Sequence, residues 1–284
     1  MTGKSSDMIE FIDSYFFDEV SAVPYATLRI LVGLLFIGMW IEIIFSYEMC
    51  APIGQGGLIM YQRNTLWNVP TIFRFGCSFK LYMVLHLISA ICITIGFFSV
   101  VFLIFMLYLH ISFRSYASGL VGGSDQILHA FCFWLIFSNP DVIFSVTSLI
   151  MPEDHSKVVP YAGRGLIANI TLFYCLSVIL KFKGRDWRDG MAVWNVMNFP
   201  DRHKWRFPTN FLVNKKNMIR MMTYYVLVVE TLTPIGFFVK PLIPVWIFLL
   251  FCMHIGIELT MFVGLFGYCM FAFLIFLFLT YLYW

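Results

Sequence analysis

Long apolar stretches alternate with short polar connectors along almost the whole chain. Eight such stretches stand out: Tyr25 to Ser46, Lys80 to Gly96, Ser99 to Ala117, Asp125 to Val142, Gly165 to Lys181, Met218 to Phe238, Leu242 to Glu258 and Phe262 to Tyr283. Each comes close to the roughly 20 apolar residues that an α-helix needs to cross hydrocarbon. The larger polar connectors lie at Tyr47 to Phe79, Met151 to Arg164 and Phe182 to Asn217. This pattern predicts an all-α, polytopic transmembrane helix bundle of about eight spans. With no internal repeat to divide it, residues 1–284 read as one domain. Residues 1–24 differ: "MTGKSSDMIEFIDSYFFDEV" sets Asp7, Glu10, Asp13, Asp18 and Glu19 among apolar residues at helical spacing. That predicts an amphipathic helix lying on the membrane surface, not a signal peptide with a basic start and a short apolar core.

Composition agrees, because 60% of the 284 residues are hydrophobic, only 12% are charged, and the mean hydropathy is +0.82. The partner implied is a lipid bilayer, and a soluble domain is excluded. A net charge of +3, with the basic residues gathered mainly in one connector, excludes a nucleic-acid partner. Counting Lys and Arg by side places Arg63, Arg74, Lys80, Arg114 and most of the Lys181 to Arg220 cluster together. Lys4, Arg29, Lys157, Arg164 and Lys240 fall on the other side, which would leave both termini outside. Of the seven cysteines, Cys92, Cys132, Cys175, Cys252 and Cys269 fall within apolar spans as packing residues. Cys50 and Cys77 flank the first large loop, where they are either free thiols or a disulfide, depending on the compartment that the loop faces.

Ionisable groups inside a span are costly unless they face the bundle interior, so each is a candidate for function. His110 and Arg114 in "LHISFRS", Asp125 and His129 in "GGSDQILHAF", and His254 and Glu258 in "HIGIE" are each four residues apart, on one helix face. Their plainer readings are snorkelling for Arg114, capping by Ser124 or Asp125 after Gly122 and Gly123, and interhelical pairing for the rest. With Glu42, Glu230 and Lys181 they suggest a polar chamber inside the bundle. Asp125, His129, His254 and Glu258 could also gather around zinc or iron, but no spacing demands it and no metal is assigned. In "LKFKGRDWRDG" Lys181 ends its helix, where a cation suits the dipole. Trp187 follows as an interfacial anchor, and the 182–217 loop is expected to cover the chamber. A lysine held in such a partly dry pocket can act as a base, which an exposed lysine does poorly.

The segments "GGSDQILHAFCFWLIF", "YCLSVILKFKGRDWRDGMAVW" and "HIGIELTMFVGLFGYCM" resemble the HTTM domain, the membrane domain shared with vitamin K-dependent gamma-glutamyl carboxylase. The likeness runs from about Tyr25 over nearly the whole chain. Its most specific element is a Tyr and a Lys seven residues apart, Tyr174 and Lys181, then Trp-x-x-Gly at Trp187 and Gly190. The resemblance implies that Lys181 is the base acting on reduced vitamin K or a similar quinol, and that the enzyme is a lyase of the carboxylase kind. Asp125, His129, His254 and Glu258 would relay protons or orient the cofactor, with Ser124, His110, Arg114, Trp187 and Glu230 holding it. A carboxylase histidine falls near Ser124, where this chain has none. The substrate-capturing domain that follows the membrane part of the carboxylase also has no counterpart here. In size and layout the chain is similar to bacterial SdpB-type members, which help to mature an exported antimicrobial peptide and also carry a cysteine pair in the first large loop. That likeness implies an exported peptide substrate, a separate substrate-binding subunit, a bacterial plasma membrane and a first loop outside the cytoplasm, opposite to the charge count. The reading kept beside it is a non-catalytic assembly, escort or immunity factor whose polar pairs are interhelical glue.

Overall fold

Helix boundaries follow local chemistry. Ser78 starts α4 (Phe79–Ile95) by accepting a hydrogen bond from the Leu81 N–H, and Gly96 ends it in the left-handed conformation at φ 74°. The computed structural model describes residues 3–53, 55–58, 77–117, 122–152, 156–198, 215–261 and 263–284. Within these the protein is almost entirely helical and divides into two compact units.

The first unit, Met1–Leu166 with Tyr283–Trp284, contains α1 (Gly3–Phe17), α2 (Val23–Phe45), α3 (Tyr47–Cys50), α4, α5 (Ser99–Tyr116), α6 (Gly123–Ile136) and α7 (Val146–Ile150). α2 packs on α4, α4 on α5, α5 on α6, and α6 returns to α2, closing a four-helix group. Phe36, Phe79, Tyr82, Phe113 and Phe131 fill its core. Short strands β1 (Val20–Ser21) and β2 (Lys157–Val158) pair antiparallel ahead of α2 and of α8 (Tyr161–Lys183). The predicted N-terminal helix is present as α1, and the Arg164 guanidinium stacks on its Tyr15 ring, 3.4 Å from the centroid.

The second unit, Ile167–Leu282, holds the rest of α8, then α9 (Arg185–Arg188), α10 (Ala192–Met197), α11 (Lys216–Phe238), α12 (Ile243–Thr260) and α13 (Phe266–Tyr283) up to Leu282. α11 packs against both α10 and α12. Phe237 and Phe273 join α11 to α13, with ring centroids 5.5 Å apart.

All eight predicted apolar stretches contain helices, but among the described residues five stretches are long and apolar enough by themselves to cross a membrane: Val23–Phe45, Tyr161–Lys183, Lys216–Phe238, Lys240–Thr260 and Phe266–Tyr283. α4 and α5 are shorter, and α6 has 14 residues. At 1.5 Å per residue α6 rises about 21 Å, against a hydrocarbon core of about 30 Å. The sequence reading carries this stretch on to Val142, but Pro140 disfavours helical geometry at Asn139, which turns to φ 49°. The 182–217 segment is not a simple loop either. α8 runs on to Lys183, and α9 and α10 follow directly; residues 199–214 of that segment lie outside the described residues. Cys50 and Cys77 are separate free thiols, while Arg63 and Arg74 between them lie outside the described residues.

Candidate functional site

Lys181 sits in the last turn of α8, and 18% of its side chain is exposed. Its amine meets both carboxylate oxygens of Glu230 on α11, whose side chain is 7% exposed. The sequence reading makes this lysine a base; the structure sets a carboxylate directly against it. Tyr174, Ser177 and Lys181 share one face of α8 through their spacings of three and four. Ser177 donates to Glu230 Oε2 at 3.4 Å, and the Tyr174 hydroxyl lies 2.9 Å from Nε2 of buried His254 on α12. The Trp187 ring of α9 stands 5.0 Å from the Lys181 amine, within cation–π range.

Lys181 and Glu230 line a cavity of about 810 Å³ whose other walls are mostly apolar, among them Trp187, Met197, Met222, Tyr225, Met253 and Phe266. α10 closes one side through Met197, which packs on Ile219 of α11, and the Val193 N–H donates to the Thr223 hydroxyl at 3.3 Å. His254 is not on the cavity wall and engages Tyr174. Glu258, half-buried one turn further on, packs against Gly267 of α13.

The other predicted site residues gather in the first unit. Fully buried His110 places Nε2 3.0 Å from Oδ1 of Asp125, and the Arg114 guanidinium closes on the same oxygen at 2.6 Å. Arg114 Nε also lies 3.3 Å from His110 Nε2, so the predicted same-face pairing of His110 with Arg114 is realised. The helix cap falls on Gly122 rather than on Ser124 or Asp125. Asp125 is the third residue of α6 and accepts the Gly122 N–H at 2.6 Å while holding His110 and Arg114. His129 lies edge-on to His110, with ring centroids 4.7 Å apart. Ser124 is half-buried in the first turn of α6, and Glu42 is exposed on α2. Asp125 and His129 thus belong to one compact unit, His254 and Glu258 to the other. Among the described residues no group of three or more His, Cys, Asp or Glu side chains is arranged to hold a metal ion.

Two buried features escape the sequence reading. Arg29, taken there as a charge on a connector side, is fully buried inside α2, pairing with Asp141 at 3.3 Å and donating to the Phe144 carbonyl. Asp141 also accepts the Ser99 N–H at 2.6 Å, which ties the start of α5 to the segment after α6. His86 of α4 is fully buried beside Tyr82, and an isolated histidine without a charged residue one turn away offered no pattern to single it out. Tyr174 did stand in the quoted likeness, but only as a spacing mark for Lys181. Comparison of the chain with protein-family models, with curated proteins and with solved structures finds no match.

Proposed function

We propose that the protein is a multi-pass membrane enzyme related to vitamin K-dependent gamma-glutamyl carboxylase, in which Lys181 and Glu230 handle a proton of a lipid-soluble quinol. Its role is to modify or mature an exported peptide at a bacterial plasma membrane, with a separate subunit supplying substrate binding. The observation that carries this reading is a single amine–carboxylate pair on the wall of a largely apolar cavity of about 810 Å³. That volume lies within the roughly 300–1,000 Å³ of small-molecule sites, and one polar end in an apolar chamber fits a quinol such as reduced vitamin K. When bound, a quinol supplies a weakly acidic hydroxyl and two electrons. Lys181 and Glu230 act as one proton-accepting unit: a proton taken up by the pair leaves it as ammonium and neutral carboxyl. The Lys181 cation is then next to the point where negative charge develops. Trp187, Met197 and Phe266 give the pair apolar neighbours on the cavity wall, and Ser177 donates to the Glu230 carboxylate.

This reading takes α2, α4, α5, α6, α8, α11, α12 and α13 as eight spans. Strand pairing supports it. Val20 and Ser21 precede α2, and their partners Val158 and Lys157 precede α8, so the chain between returns to the face it left. An even number of crossings is required there. α2 alone gives one, whereas α2, α4, α5 and α6 give four. Trp284 also donates to the Ser21 carbonyl at 3.1 Å, and the four helices α8, α11, α12 and α13 satisfy the same parity.

The test is quinol oxidation with dioxygen as the electron acceptor, by the full chain in lipid nanodiscs, comparing wild type with Lys181→Gln and Glu230→Gln. Loss of a proton-handling group lowers such rates by about 10²–10⁴-fold. Equal rates in all three proteins, or no turnover in any, would overturn the reading. The closure of both Glu230 oxygens on one amine favours a second reading, in which the pair is a clamp between α8 and α11 in a non-catalytic assembly, escort or immunity factor. That reading expects partner binding without quinol turnover.

A further inference from the structure

Three imidazoles on consecutive helices of the first unit, His86 on α4, His110 on α5 and His129 on α6, carry ring nitrogens without a hydrogen-bond partner among the described residues. At His86 both nitrogens are buried and unpartnered, although the ring has no solvent exposure. At His110 it is Nδ1, and at His129 it is Nε2. Buried polar groups are almost always paired, by protein or by ordered water, so four such atoms in one cluster call for an occupant. They are grouped rather than scattered: His110 contacts His129, and Phe36 of α2 meets both His86 and His110 edge-on, with centroids at 5.7 and 5.5 Å.

The occupant's chemistry follows from the rings. His110 Nε2 faces both the Asp125 carboxylate at 3.0 Å and the Arg114 Nε–H at 3.3 Å, so in either tautomer its Nδ1 is left as the nitrogen without a partner. A neutral His86 presents one donor and one acceptor, whichever tautomer it takes. An occupant must therefore both donate and accept, and be small enough for a packed helix group. Water meets all three requirements, whereas a carbonyl group only accepts, an ammonium group only donates and a metal ion does neither. The charged groups facing the cluster are Arg114 and Asp125, already bound to each other, and Arg114 is 16% exposed at the end of α5.

We propose that α4, α5 and α6 enclose an internal water site joining His86, His110 and His129, and that protons pass through it toward the Asp125–Arg114 end. From the tautomer with its proton on Nε2, a proton received at His110 Nδ1 is matched by release of the Nε2 proton toward Asp125, so the ring keeps one proton and changes tautomer. Nothing in this site involves Lys181, so it stands or falls apart from the quinol reading.

The test uses the full chain, ¹⁵N-labelled at histidine, in lipid nanodiscs by water-edited solid-state NMR. Wild type is expected to show magnetisation transfer from bound water to both His86 nitrogens, to His110 Nδ1 and to His129 Nε2. His86→Phe should cut the transfer to His110 and His129 severalfold, and His86→Gln, which keeps a donor and an acceptor, should restore it if the phenylalanine variant folds poorly. In His110→Gln, which retains polarity but no two-nitrogen ring, exchange of the His86 N–H into D₂O should slow at least tenfold. A dry His86 in wild type overturns the water site; wild-type exchange in His110→Gln overturns the proton path.

Discussion

At the scale of single residues, the buried charges make the sharpest predictions, because each is held by one counter-charge. Removing one member of a buried pair leaves the other uncompensated, which costs about 3–5 kcal/mol. Lys181→Ala is thus expected to lower stability by that order by stranding Glu230, and Lys181→Gln removes the same charge, so turnover of either variant is read per folded protein. The double variant Lys181→Met/Glu230→Leu should recover most of the loss in a thermal melt in nanodiscs. The same cycle applies to Arg29 and Asp141: Asp141→Leu strands the fully buried Arg29 guanidinium and should be the more damaging single change, since Arg29→Met leaves a carboxylate that still accepts the Ser99 N–H. Much of this chemistry was legible in the sequence. A charge four residues from another within an apolar run marks a shared face, and His110 with Arg114 follows that rule. Arg29 did not show itself, since its partner Asp141 lies 112 positions away and after the end of α6. His86 was silent for a related reason, because burial without a neighbouring charge leaves no pattern.

At the scale of elements, the turn between α4 and α5 and the segment after α6 behave as one joint. Gly96 sits at φ 74°, and a Cβ there would overlap the Arg29 guanidinium and Ser145. Thr147 reinforces the joint, donating to the Gly96 carbonyl at 2.7 Å and accepting the Phe98 N–H at 2.7 Å. Gly96→Ala therefore meets both a disfavoured backbone and a steric clash. It should destabilise the first unit by more than the roughly 1 kcal/mol of a typical substitution, read as a lower melting temperature. Serine at Thr147 keeps the hydroxyl and should be nearly neutral, whereas valine loses both bonds. Apolar length predicted where these helices lie but not where they stop: Pro140 shortens α6, and "GRDWRDGMAVW" reads as a loop although it forms α9 and α10. Short helices of four and six residues present too few turns for a periodic pattern to emerge.

At the scale of the whole molecule, length and hydropathy alone count five spans, while strand pairing demands an even number between β1 and β2. The two criteria differ because α4, α5 and α6 need not bury their length as isolated spans. Each packs on its neighbours in the four-helix group, so part of its surface faces protein rather than lipid. The disagreement yields a direct topology experiment. Single cysteines replace Glu19 ahead of β1, Ser156 ahead of β2 and Phe97 between α4 and α5, in a background lacking the native cysteines, and are labelled with a membrane-impermeant maleimide in sealed vesicles. With four crossings from α2 through α6, positions 19, 156 and 97 all react from the same side, since 97 follows the second crossing. If α2 were the only crossing in this region, positions 19 and 156 would react from opposite sides, contradicting the β1–β2 pairing. If α2 crosses together with only one of the three shorter helices, positions 19 and 156 still agree. Position 97 then stays with them only when α4 is the second span. A cysteine at Ser118, after α5, separates that case from four crossings: it faces the opposite side when α5 crosses and the same side when it does not.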